Sequence, residues 1–163
     1  RAGDEVAAAT RRAAEIGDQM YRVTQRHQQF ERHLARRLAT DAPGLAAMQH
    51  QMQAGEATPT ELSRTLDVST AAMTLVLDRL ANAGHITRRP HPTDRRKVVI
   101  NPATASATAA QALVDPLTAG VEALVASLNP DEQKVVTTFL GGMLRVYSEV
   151  LDDGDSVGGP TTR

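Results

Sequence analysis

Apolar residues in this chain follow two different periods, and the places where the period changes divide it into elements. From residue 5 to about 39 no proline occurs, and Ile16, Met20, Val23, His27, Phe30, Leu34 and Leu38 recur at steps of four and three. That spacing is a heptad-like stripe, here ringed by arginines, and it predicts one long helix. A stripe of this length cannot be covered by a small domain alone, so a partner chain is its natural cover. His27, inside the stripe, is expected as an interface histidine rather than a ligand. Thr40-Asp41-Ala42-Pro43-Gly44 breaks the helix. Leu45 to Met52 then predicts a short helix with Leu45, Met48 and Met52 inward, ending at Gly55, its methionines serving as flexible core filler.

Thr58 to Asn101 predicts two short helices, a tight turn and a basic hairpin, the pattern of a winged helix-turn-helix. Thr58 is placed as N-cap, Pro59 at the first helical position and Glu61 three residues after the cap, which together make a capping box. Leu62, Leu66 and Val68 supply apolar contacts, Asp67-Val68-Ser69 is the turn, and Ser69 caps the next helix. In that helix Met73, Val76, Leu77 and Leu80 share one face and point inward. Thr70, Ala71, Thr74, Leu75, Asp78 and Arg79 are left outside, and small or hydroxylated residues near the helix start let the backbone approach a base-pair edge. Gly84 is placed as a left-handed C-cap.

After Gly84 the period becomes alternating. His85 to Arg89 and Lys97 to Ile100 predict two strands joined by Pro90 to Arg96. From His85 to Lys97 there are five basic residues against one acid, on a chain whose net charge is −1. A local excess of this kind is the footprint of phosphate contact. Asp94 is placed to pair with Arg96 and hold the tip, and Arg95 or Arg96 to enter a narrow minor groove.

Two more helices complete the pattern. The first, from about Ala103 to Leu128, carries Leu113, Leu117, Val121, Leu124 and Leu128, with Pro116 predicting a kink or break. The second opens at Asn129-Pro130-Asp131-Glu132, a strong start signal, and steps through Val136, Leu140, Met143, Tyr147 and Val150. Gly141-Gly142 within this stripe suggests close approach of another helix. The expected architecture is mainly α with a small β-hairpin wing. Its parts are an N-terminal dimerisation helix (5–39), a winged helix-turn-helix domain (43–101), C-terminal dimerisation helices (102–151) and a disordered tail (152–163). Ile16, Met20, Val23, Val136, Leu140, Met143 and Tyr147 are the candidate dimer-interface residues.

Composition narrows the function. There are no cysteines, which removes disulfides, thiolate zinc sites and thiol redox sensing. No run of eighteen apolar residues and no signal-peptide pattern occurs, so a soluble cytoplasmic protein with no membrane partner is expected. Residues 1–84 balance ten basic groups with ten acids, and residues 98–163 hold three against eight, so the positive charge is confined to the hairpin. Aromatics are 2% with no Trp, which disfavours single-strand binding by stacking. No phosphate-cradling glycine loop, HExxH or GxSxG occurs, and no enzymatic activity or cofactor is expected.

The segments TPTELSRTL, STAAMTLVLDRLANAGHITRR and HPTDRRKVVI, with the Asp94-Arg95-Arg96 triplet following a helix that ends DRL and AG, resemble regulators of the MarR type over roughly residues 5 to 151. The resemblance implies a homodimer on a pseudo-palindromic operator of double-stranded DNA, acting as a repressor that a small aromatic or amphipathic effector releases. It gives wing-tip roles to Asp94 and Arg96 and groove contacts to Ser69 through Thr74. Leu75 departs from the pattern: members often carry a polar or basic side chain there, and leucine either touches a thymine methyl or contributes nothing. The candidate DNA-binding set is Ser69, Thr70, Ala71, Thr74, Leu75, Arg79, Arg88, His91, Thr93, Asp94, Arg95 and Arg96. Two alternatives stand beside it. One is a metal-responsive regulator using some of the five histidines; the other is a constitutive architectural DNA-binding protein without effector.

Overall fold

The computed structural model describes residues 2–156, in the order α1 (Ala2–Arg37), α2 (Ala42–Ala54), α3 (Pro59–Thr65), α4 (Thr70–Asn82), β1 (Ile86–Pro90), β2 (Val98–Pro102), α5 (Thr104–Ala126) and α6 (Pro130–Ser156). This is the expected mainly helical fold with one hairpin. The chain separates into two compact units at Leu113/Val114. The division falls within one turn of Pro116, which lacks a backbone donor and whose ring crowds the carbonyl four residues before it.

The core of the first unit is built around the winged helix. Leu62 from α3, Met73, Leu77 and Leu80 from α4 and Ile100 from β2 are each less than 2% exposed. These are the inward positions that helical spacing assigned. Leu34 and Leu38, at the end of α1, are buried in the same unit, and α1 packs on α2. The expected boundary between residues 39 and 43 is therefore no division in space.

Local chemistry accounts for the element ends. Asp41 Oδ1 accepts from Gly44 N at 2.9 Å and caps α2, so Ala42, Pro43 and Gly44 form its first turn rather than the break expected there. Thr58 and Glu61 make the reciprocal capping box at α3, with bonds of 3.2 and 2.7 Å. Asn129 caps α6 by accepting from Asp131 N and Glu132 N at 3.0 Å each. α4 ends in a Schellman closure: His85 N donates to Leu80 O (2.9 Å) and Gly84 N to Ala81 O (3.0 Å), with Gly84 at φ +79°. α1 closes in the same way through Thr40 N to Ala35 O (2.9 Å), but an alanine, Ala39 at φ +49°, holds the left-handed position. β1 and β2 pair antiparallel, and Ala57 adds a bridge to Ile100.

Several expectations are corrected. Met52 is 39% exposed and Gln51, 1% exposed, takes the inward place. The small residues Gly44 and Ala47 pack closest and rotate the buried face of α2 toward Gln51. His27 is no such correction: it is exposed in the single chain, as Ile16 and Val23 of the same stripe are, and lies 3.5 Å from Glu31, one turn on. α5 runs through Pro116 as one helix, so of the expected kink or break the break does not occur. A Cβ added at Gly141 would meet nothing within 4 Å among the described residues, so the expected approach of another helix there is not made within the single chain. A close approach is made at Gly44, where an added Cβ would run into Thr40 Oγ1. α6 runs to Ser156 and takes in the first residues expected as tail, while residues 157–163 lie outside the described residues.

The second unit is a helical hairpin corner. Gln133 Nε2 donates to Val125 O and Leu128 O at 3.0 Å each, satisfying carbonyls freed where α5 ends. Along α6, Val136, Leu140 and Tyr147 are 43%, 52% and 58% exposed. By length and composition alone α5 could cross a membrane, at mean hydropathy 1.2. Its many alanines raise that mean, and Asp115 and Glu122 interrupt the apolar character.

Candidate nucleic-acid interface

Ser69 positions the start of α4, its Oγ accepting from Ala72 N at 3.2 Å. Thr70, Ala71 and Thr74 follow on the exposed face. Thr74 Oγ1 donates to Thr70 O at 2.9 Å, which leaves its oxygen lone pairs facing out. The Thr70 hydroxyl has no partner among the described residues. Leu75 is 61% exposed with no core role. Met73, Val76 and Leu77 on the opposite face bury the helix, so this polar side is the one presented to solvent. A helix start with small side chains and free hydroxyls can approach base edges and donate or accept there.

The basic candidates divide into two kinds. Arg79 Nη2 lies 2.6 Å from Asp41 Oδ2, and Arg88 Nη2 lies 2.5 Å from Asp78 Oδ1. Both pairs are about half exposed, and both arginines are thereby drawn to acids of their own chain. Asp41 serves twice, one oxygen capping α2 and the other holding Arg79 of α4. By contrast, the guanidinium groups of Arg89, Arg95 and Arg96 make no ion pair or hydrogen bond among the described residues. Arg89 stood outside the candidate set. The signal for it was the strand itself, since adjacent residues point to opposite faces and Arg88 and Arg89 cannot share one acid.

The wing tip is tightly hydrogen-bonded. His91 N donates to Lys97 O (3.0 Å) and Lys97 N to Asp94 O (2.9 Å). Asp94 Oδ1 accepts from the backbone N of Arg96 at 3.1 Å, and its Oδ2 lies 4.0 Å from Lys97 Nζ. The expected Asp94 to Arg96 pairing thus runs through the Arg96 backbone, which frees the guanidinium. Thr93 and Asp94 converge on the ring of His91.

A cleft of about 520 Å³ separates the start of α3 from the base of the wing, with Glu61 and Arg64 on one side and His91, Arg96 and Lys97 on the other. The Thr58 backbone N–H, and after it the Thr58 hydroxyl, hold the Glu61 carboxyl below the usual carboxylate range, with His91 and Lys97 adding to the effect. A second cleft, about 610 Å³, lies between α1 and α2, lined by the apolar Ala35, Ala42, Leu45 and Ala46 together with Glu31, Arg32 and Arg36. Among the described residues no group of three or more His, Asp or Glu is gathered as a metal would need.

A family model described as the MarR family matches residues 50–98. The Bacillus subtilis HTH-type transcriptional regulator YcgE is 34% identical over 100 residues, 61% of this chain and 65% of its own length. This chain therefore spans just under two thirds of that relative. The crystal structure of wild-type apo MarR from Escherichia coli has a TM-score of 0.56 at 26% identity, over 78% of this chain and 96% of MarR. A MarR family protein from Bacillus stearothermophilus has a TM-score of 0.62 over 86% of this chain and 96% of its own, at an identity of 18% that shows likeness of fold alone. Capped helix pair, basic hairpin, family match and fold agree: over the winged helix this chain is similar to the MarR family of transcriptional regulators.

Proposed function

We propose that this chain acts as a homodimer on a pseudo-palindromic duplex operator, with two α4 helices in successive major grooves about one helical turn apart and the wings on flanking minor grooves or phosphates. The observation that carries this reading is the set of unneutralised arginines on the wing, Arg89, Arg95 and Arg96, beside the exposed start of α4. Arg79 and Arg88 act as shape-holding residues in this reading, and Ser69, Thr70, Ala71, Thr74 and Leu75 supply the base-edge surface.

A second copy covers the apolar residues that a single chain leaves open. Ile16, Val23, Val136, Leu140 and Tyr147 are all at least 43% exposed. Rows of large apolar side chains at this exposure are costly in water and mark a surface that is buried in the assembly. The regulator represses, and a small aromatic or amphipathic anion releases it. The cleft between α1 and α2 supports this, since its apolar residues stand with two arginines against one acid, Glu31, a lining that suits a ring bearing a carboxylate. Binding there would bias α2, which packs on α4, and shift the population away from the DNA-competent spacing. Titrating the protein against the duplex upstream of its own gene at two salt concentrations tests the proposal. Tight, salt-dependent binding is expected, and indifference to this duplex at low salt would overturn it.

A further inference from the structure

His91 holds the wing tip as an acceptor. Its Nδ1 lies 3.3 Å from Thr93 N, 3.3 Å from Asp94 N and 3.2 Å from Thr93 Oγ1. Backbone nitrogens only donate, so Nδ1 must be a bare lone pair and the neutral ring must carry its proton on Nε2. An Asn or Asp side chain does the same in an Asx turn, accepting from backbone N–H groups two or three residues on. The residues that present Arg95 and Arg96 therefore hang from one ring nitrogen at one end and from the Asp94 carboxylate at the other.

Histidine is the side chain whose charge ordinarily changes between about pH 5 and 8. The charged groups around His91 are mixed: Glu61 and Arg64 from α3, and Asp94, Arg96 and Lys97 from the wing. Glu61, kept low by its bonds to Thr58, remains ionised throughout the range in which imidazoles titrate.

We propose that His91 is a positioning residue that makes the grip of the wing on DNA depend on protonation. The neutral ring fixes the tip in the shape that presents Arg95 and Arg96. A proton on Nδ1 turns the acceptor into a donor, leaves the N–H groups of Thr93 and Asp94 without it, and opens the tip. The inference rests on the wing being a DNA contact. Its sign separates it from simple charge: a histidine that merely faced phosphate would bind more tightly once protonated, whereas a positioning histidine binds less tightly.

The test follows the backbone amide signals of Thr93 and Asp94 in the free full-length protein by NMR from about pH 8 to about pH 5.5, the span of imidazole titration. The same samples are titrated against the upstream duplex. Both amides are expected to move with the imidazole, and duplex affinity to fall about fivefold, the scale of one or two hydrogen bonds lost. His91→Asn, which offers an acceptor oxygen and does not titrate, is expected to bind with an affinity that no longer falls with pH, whatever its level. Still amides, affinity rising toward low pH, or a His91→Asn protein that titrates like wild type would each overturn the proposal. Moving amides with no duplex binding at any pH would instead overturn the DNA reading on which it rests.

Discussion

The winged helix and α6 use the same kinds of apolar residue to opposite ends. In the winged helix Leu62, Met73, Leu77, Leu80 and Ile100 are each less than 2% exposed, whereas in α6 Leu140, Leu144 and Val150 are 52%, 69% and 67% exposed. The first region has closed its core within one chain. The second carries a regular stripe that its own chain leaves open, and such a stripe has a use only when another surface covers it. A helical period thus reports which residues share a face. It does not report whether the covering surface belongs to the same molecule.

Substitutions can break this contrast. Leu140→Asp places a charge in the α6 stripe and should weaken self-association about 30-fold or more, on the scale of an interface hot spot. Sedimentation would show dimer becoming monomer while the winged domain stays folded, and unfolding of that domain would mean that α6 supports it directly. Leu77→Ala should cost about 2–5 kcal/mol in denaturant unfolding, because a buried leucine leaves a cavity that its neighbours fill only in part. A cost near zero would show that the winged core is not close-packed. Arg96→Ala should weaken duplex binding by about 1–3 kcal/mol without changing stability. Arg79→Ala, whose guanidinium lies 2.6 Å from Asp41, should cost less in binding, and the reverse order would remove the distinction between free and paired arginines.

Two smaller effects sharpen the account of the element ends. Ala39→Gly relieves a non-glycine residue at φ +49° and should stabilise the chain by about 0.5–1 kcal/mol in the same unfolding assay, since glycine adopts that conformation without a Cβ clash. Glu61 gives a pH signature. Its folded carboxyl titrates lower than in the unfolded chain, so its contribution is present above the ordinary carboxylate range and is lost as pH falls through the folded value. The difference in melting temperature between wild type and Glu61→Ala should therefore be constant at neutral pH and shrink in acid. A difference independent of pH would show that the carboxylate charge is not what matters.

Features governed by a few neighbouring residues were legible in the sequence. The capping boxes at Thr58 and Asn129, the Ser69 cap, the Gly84 closure and the inward face of α4 depend only on residues within a turn or two. What the sequence did not reveal depends on distant partners. Asp41 meets Arg79 across 38 positions, and nothing local marks that arginine as paired. The face of α2 turned toward Gln51 because Gly44 and Ala47 let their side pack closest. The bonds that His91 Nδ1 accepts from Thr93 and Asp94 were not legible either, because an imidazole that accepts backbone bonds is indistinguishable in sequence from one that faces solvent.

The central claim joins the two regions: closed winged domains read DNA as a pair because the open stripe brings two chains together. The most direct test is the mass of the complex with the upstream duplex, measured by sedimentation at saturating protein. The account predicts two chains per operator-length duplex. One chain per duplex, or no complex at all, would contradict it.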